Sequence, residues 1–210
     1  MAGSQRTINT SVRIVSKVDD PTARHFYELY KKTFGPMAVM AVNRHLLWEH
    51  EFMEVMQDER VDKYLVCDDD SGDALGMCTL TNDLETVTWV SPQYFAHHYP
   101  DHAARKAIYY LGFSLASSEH RRAQIFTQLI TSVTETLVNQ NAMCAYDICA
   151  YNNEVLGLGY AVESMITALA DIEVRAVDTQ TYYTAVPHGP LKSGETRRVP
   201  GQRPTVEGSP

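Results

Sequence analysis

Apolar and polar residues alternate with period two along SVRIVSKV, the pattern of a half-buried strand. Asp20 followed by Pro21 then supplies an N-cap and first-turn pair, which predicts a helix. Phe26, Leu29, Tyr30 and Phe34 continue at helical spacing until Gly35-Pro36 breaks the pattern. A second helix is predicted with Val42, Leu46, Phe52, Met53 and Met56 on its inner face. KYLVCD and ALGMCTLT, joined by the turn-forming DDSGD, read as neighbouring strands. Residues 82 to 104 fit two readings: LETVTWV extends a strand, or SPQYF opens a short helix capped by Ser91 with Pro92 at its first position. KAIYYLGFSLA has the β-branched and aromatic content of a central strand, and the helix after it places Ile125, Leu129, Val133 and Leu137 on one face. AMCAYDICAY repeats the strand, NNEVLGLGYAVESMITAL the helix, and DIEVRAVDTQTYYTAV closes as a last strand. The expected fold is α/β, in the order β-α-α-β-β-(α)-β-α-β-α-β, without an internal repeat.

Composition narrows this picture. With 210 residues, 44% of them hydrophobic, the chain can bury one full core and is short for two. The expected organisation is an N-terminal arm over residues 1–11, one domain over 12–186 and a disordered tail over 187–210. From Val186 onward the chain holds five of the nine prolines and four of the eleven glycines. Without the tail the body carries 14 basic against 24 acidic side chains, a net charge of −10. Such a balance lacks the cationic field that nucleic acid or an anionic membrane attracts, so neither is an expected partner. No apolar run approaches the roughly 20 residues of a membrane span, and MAGSQRTINTS has no signal-peptide core, which together predict a cytoplasmic protein. Cys67, Cys78, Cys144 and Cys149 lack metal-ligand spacing and read as reduced thiols inside strands.

Three local patterns fall in one register with that element order. Gly76 lies early in the strand ALGMCTL. SSEHRRAQIFTQLI, between a strand and a helix, places Arg121 three residues before Gln124 and five before Phe126. Asn153 precedes Tyr160 by seven residues, with Ser164 and Met165 beyond. Together these resemble the GNAT superfamily of N-acetyltransferases over residues 12–186. The family loop reads Arg/Gln-x-x-Gly-x-Gly/Ala, and its later motif reads Asn-x-x-Ala-x-x-Leu-Tyr-x-x-x-Gly-Phe. Here Gln124 and Phe126 replace the two glycines, and Ser164 and Met165 replace the final Gly-Phe.

The resemblance implies a mixed, mostly antiparallel sheet flanked by helices and an acyl-CoA-dependent transfer, most simply of acetyl from acetyl-CoA to the amine of a small molecule or protein. The loop residues Arg121, Arg122, Ala123, Gln124, Ile125 and Phe126 would bind the cofactor pyrophosphate, because amides at a helix N-terminus point toward an anion that the helix dipole also favours. Leu115 to Ser117, at the end of a splayed strand, would face the acyl group, so Leu115 and Ser117 join the cofactor site. Asn153 would lie near the pantetheine arm and Tyr160 would protonate the departing thiolate, a task suited to a phenol of reference pKa about 10. Each assignment has a plainer alternative: solvated surface arginines, an N-cap for Asn153, a packed ring for Tyr160. No general base is evident at Tyr110, the position where some relatives carry glutamate. Glu85, His97, His98 and His102 border the expected acceptor cleft, and His98 or His97 is the candidate base by its reference pKa, against a plain surface histidine. HHYPDH holds metal-ligand residue types without metal-ligand spacing, so no metal is expected. Domains of this kind often pair, which makes a homodimer an expectation. The bulk at Gln124 and Phe126 points to an alternative, a GNAT-like module without catalysis that acts through protein contacts.

Overall fold

The computed structural model describes residues 9–42, 46–117 and 121–189. The chain divides into two units, Met1–Arg175 and Ala176–Pro210. Among the described residues every helix and strand lies in the first unit.

Strand β1 (Thr10–Val15) leads into helix α1 (Asp20–Phe34), whose N-cap is Asp19, with its carboxylate accepting from the Thr22 amide at 3.0 Å. The expected cap at Asp20 is therefore displaced by one residue, and Pro21 still sits in the first turn. Helix α2 (Glu49–Gln57) is shorter than its apolar pattern suggested, because Glu51 reaches back to the Trp48 amide at 2.7 Å and fixes the start there. Strands β2 (Asp62–Asp68) and β3 (Ala74–Thr81) form the expected hairpin. The ambiguous stretch that follows is helical: Ser91 caps α3 (Pro92–His98), and α4 (Pro100–Ala104) follows. Then come β4 (Ile108–Ala116), α5 (Arg122–Asn139), β5 (Met143–Ala145) and α6 (Leu158–Leu169).

The sheet order is β1-β2-β3-β4-β5, antiparallel except for the parallel pair β4 and β5. Two expectations fail in this half of the chain. The strand over AMCAYDICAY shrinks to Met143–Ala145, and no strand forms over residues 171–186, where the closing strand was expected. A period-two pattern becomes a strand only beside a neighbour that offers a backbone ladder. Here the ladder stops three residues into β5, and residues 175–189 are exposed along their whole length.

Side chains from the two faces of the sheet build separate cores. On one face Phe26, Tyr30, Phe52 and Met56 from α1 and α2 pack on Leu65, Met77 and Leu115, with Phe52 stacked on Phe113 at 5.4 Å between centroids. On the other, Ile125, Leu129 and Val133 of α5 cover Tyr64, Val66, Cys78, Leu80 and Tyr109. Phe95 of α3 joins Leu84, Val87, Ile108 and Tyr110 in a third cluster. Successive strand residues alternate faces, so Tyr109 points toward α5 and Tyr110 away from it.

Lys63 of β2 is fully buried, its Nζ donating to the carbonyls of Ser16 and Asp58 at 2.7 Å each. Burial depresses its pKa to about 8, outweighing the attraction of Asp58 and Asp62. The unfolded chain therefore binds the extra proton between about pH 8 and the ordinary lysine value, so this residue costs stability below pH 8 and the cost is relieved as pH rises. Denaturant unfolding of the wild type and Lys63→Met at pH 7 and pH 10 checks this. The difference should move in favour of the wild type by on the order of 2–3 kcal/mol toward the higher pH, whereas the same difference at both would assign the lysine no such role.

Candidate functional site

Strands β4 and β5 part soon after they meet. They pair at Ile108↔Met143, Tyr109↔Cys144 and Tyr110↔Ala145, after which β4 runs on to Ala116 with no paired strand on that side among the described residues. The cause lies on the opposite edge of β4. Against β3 the register passes from Leu80↔Leu111 to Cys78↔Ser114, so two residues of β4, Gly112 and Phe113, stand opposite Thr79. Such a bulge adds twist and bends its strand. Gly112 is needed at this point, since a Cβ there would lie 2.3 Å from Thr79 Oγ1.

The ladder also determines which amides face the opening. Ser117 N–H donates to Leu75 O at 2.8 Å, which makes Ser117 and, two residues earlier, Leu115 the positions bonded to β3. By the antiparallel alternation the N–H groups of Ser114 and Ala116 turn away from β3, into the gap beside β5. Of Leu115 to Ser117, the segment expected to face an acyl group, Leu115 and Ser117 direct their amides to β3, and Ala116 directs its amide away from it, as Ser114 does. The Leu115 side chain lies in the core, and Ser117 Oγ is occupied by Leu75 O at 2.7 Å.

Helix α5 begins beside this gap. Arg121 occupies its N-cap position without a side-chain cap, and the first intrahelical bond runs from Ile125 N–H to Arg121 O at 2.9 Å. The amides of Arg122, Ala123 and Gln124 therefore precede the helical ladder, the position from which a helix start meets an anion. Arg122, Ala123 and Gln124 are exposed, so the bulk of Gln124 at the first glycine position extends toward solvent, while Phe126 is half-buried. Ile125 anchors the turn from below: it is buried, and its Cγ2 would be 2.2 Å from a Cβ added at Gly76. Gly76 thereby lets the start of α5 settle onto the sheet beside Leu115, whose carbonyl oxygen would be 2.9 Å from that same Cβ. His120, with residues 118 and 119, lies outside the described residues.

Asn153 and Tyr160 sit on two separate turns. Asn153 belongs to a π-helical turn, Tyr151–Val155, and α6 restarts behind Gly157, which takes a left-handed φ of 65° and is the N-cap. The N-cap alternative for Asn153 is thereby removed. Its Oδ1 instead fills the space beside Gly159, where a Cβ would approach it to 2.3 Å, directly before Tyr160. Tyr160 is 78% exposed in the first turn of α6, which rules out the packed-ring alternative. His98 is exposed at the C-terminal end of α3, its ring 4.4 Å from that of Tyr94.

One group escaped the sequence reading. Tyr110, 2% exposed, donates its hydroxyl to Asp147 Oδ1, and Trp89 Nε1 donates to both, at 2.8 Å to the Tyr110 hydroxyl oxygen and 3.3 Å to Asp147 Oδ1. Burial and the adjacent carboxylate push the Tyr110 phenol far above its ordinary pKa, so it remains a donor. Asp147 is exposed, two residues past the last paired residue of β5, on the face that Tyr110 points to and away from α5. Tyr110 of β4 thus orients a carboxylate from the segment that follows β5. Among the described residues no group of three metal-ligating side chains occurs, and no helix is long and apolar enough to cross a membrane.

No protein-family model matches the sequence, and no curated protein sequence matches it. Solved structures do match. A possible acetyltransferase from Clostridium difficile 630 superposes with TM-score 0.53 at 11% identity, over 87% of this chain and 100% of that one. An aminoglycoside acetyltransferase, meta-AAC0020, from an uncultured soil metagenomic sample and bound to sisomicin matches with TM-score 0.49 at 12% identity, over 84% and 96%. A ribosomal-protein-alanine N-acetyltransferase from Brucella melitensis biovar Abortus 2308 matches with TM-score 0.44 at 12% identity, over 85% and 100%. The fold is that of the GNAT acetyltransferases, as the element order and motifs anticipated.

Gly76→Ala should destabilise the chain by about 1–3 kcal/mol through overpacking, read as a lowered urea midpoint. In an Ile125→Ala background, which lacks Cγ2, the same substitution should cost less. Additive effects would show that the two residues are not in contact in the way described.

Proposed function

We propose that this chain is an acyl-CoA-dependent N-acyltransferase, most simply an N-acetyltransferase that uses acetyl-CoA. The observation that carries the reading is the parting of β4 from β5 with the Ser114 and Ala116 amides turned into the gap. Acyl transfer to an amine develops negative charge on the carbonyl oxygen, and fixed N–H donors aimed at that oxygen are the main means of lowering the barrier. An acyl-CoA would supply the acyl group as a thioester together with an anionic pyrophosphate. The first-turn amides of Arg122, Ala123 and Gln124, with the guanidinium groups of Arg121 and Arg122, would hold the pyrophosphate above Ile125 and beside Phe126. Ser114 and Ala116 would hold the thioester oxygen. Asn153 and Tyr160 would border the pantetheine arm, with the Tyr160 hydroxyl giving a proton to the departing sulfur. The fold shared with the Clostridium difficile protein supports this arrangement.

Gln124 and Phe126 at the glycine positions favour a second reading, a module of the same fold that has lost the cofactor. The two readings separate in one experiment. At about 100 times its dissociation constant acetyl-CoA should stabilise the fold by about 2.7 kcal/mol, a clear rise in melting temperature. No rise with acetyl-CoA, longer acyl-CoAs or free CoA supports the module instead.

If the enzyme reading holds, Ala116→Pro, which deletes one N–H that faces the gap and leaves the β3 ladder intact, should lower kcat about 10²- to 10³-fold while the acetyl-CoA shift persists. Tyr160→Phe should lower kcat as well, and unaltered turnover would remove the tyrosine from the mechanism.

A further inference from the structure

We propose that Asp147 and Trp89 form the acceptor subsite and select a primary aliphatic ammonium. This inference rests on the acyltransferase reading and specifies the second substrate of the same site.

Asp147 Oδ1 is occupied by the Tyr110 hydroxyl and the Trp89 indole N–H, and among the described residues no donor reaches Oδ2. The carboxylate is therefore fixed in orientation on one oxygen and open on the other. Trp89 holds its Nε1 edge against Tyr110 and Asp147 with rings crossed at 76°, yet 56% of the residue is exposed. An exposed indole face beside an oriented carboxylate is a matched pair for a compact cation, which gains a charge-assisted hydrogen bond from one and a cation–π contact from the other.

The cluster stands where β5 leaves β4, so an ammonium held there is at the mouth of the gap into which Ser114 and Ala116 point. It also lies on the face opposite α5, because Tyr109 points to that helix and Tyr110 away. The anionic end of an acyl-CoA at the α5 N-terminus and a cationic acceptor at Asp147 would enter from opposite faces and meet in the opening. The net charge of −10 on residues 1–186 draws cations toward such a mouth.

Trp48 and Trp89 are the two tryptophans of the chain, so Trp48→Phe leaves Trp89 as the sole indole reporter. In that background the full chain is titrated with 1,4-diaminobutane, spermidine and, as a neutral match, 1,4-butanediol, while emission is followed. The amines should produce a saturable change that added salt weakens, and the diol none. Asp147→Asn should weaken amine binding at least tenfold, Asp147→Glu should restore it to within a few-fold, and Tyr110→Phe, which frees the carboxylate to rotate, should weaken it by a few-fold. Melting temperatures without ligand, and the shift with acetyl-CoA, are measured on every variant. Equal responses to amine and diol, no response to either amine, or unchanged affinity in Asp147→Asn would overturn the subsite. Loss of the acetyl-CoA shift in the unmutated chain would instead remove the acyltransferase reading and leave the amine result to stand by itself.

Discussion

The bulge at Gly112 and Phe113 is the constraint on which the candidate site depends. Leu111, Ser114 and Ala116 all direct side chains toward the α5 face, and Phe113 and Leu115 toward the other. That is possible only if one extra residue is accommodated between Leu111 and Ser114. The extra residue needs room, and Gly112 provides it by letting Thr79 come closer than any Cβ would permit. Without it, β4 would continue straight beside β5 and its outward amides would be consumed by a ladder. With it, the amides of Ser114 and Ala116 face a side of β4 that, among the described residues, has no paired strand beside it.

Around that opening the fold separates charge by face. On one side an uncapped helix start, Arg121 and Arg122 provide donors and positive charge. On the other, Trp89, Tyr110 and Asp147 provide a carboxylate held by a neutral phenol and an indole. Gly76 sets the first side, since it brings Ile125 and the beginning of α5 against the end of β4. Tyr110 sets the second, because a buried ring with a single outward hydroxyl allows few orientations of its acceptor. The start of α5 and the carboxylate of Asp147 therefore lie on opposite faces of the sheet.

The departures from expectation share this origin. AMCAYDICAY has the composition of a ten-residue strand, and pairs for three residues because its neighbour bends away. DIEVRAVDTQTYYTAV alternates well enough to be a strand, yet composition cannot supply a ladder partner. Asn153 looked suited to an N-cap, but Gly157 takes that place because only its left-handed φ allows the chain to leave the π-helical turn and re-enter a helix.

What the sequence determined by itself was local: strand and helix periods, the stops at Gly35-Pro36, the Ser91 cap, the acidic body, and the register of Gly76, Arg121, Asn153 and Tyr160. The periods, stops and caps are each set within a few residues and follow from backbone geometry and side-chain burial. Which amides of β4 face outward was decided by a one-residue slip against β3, and no composition reveals a slip. Asp147 became visible only when β5 was laid beside β4, since its partners Trp89 and Tyr110 stand 58 and 37 residues away in the chain. A hydrogen bond has no sequence signature when the groups that make it are brought together by the sheet.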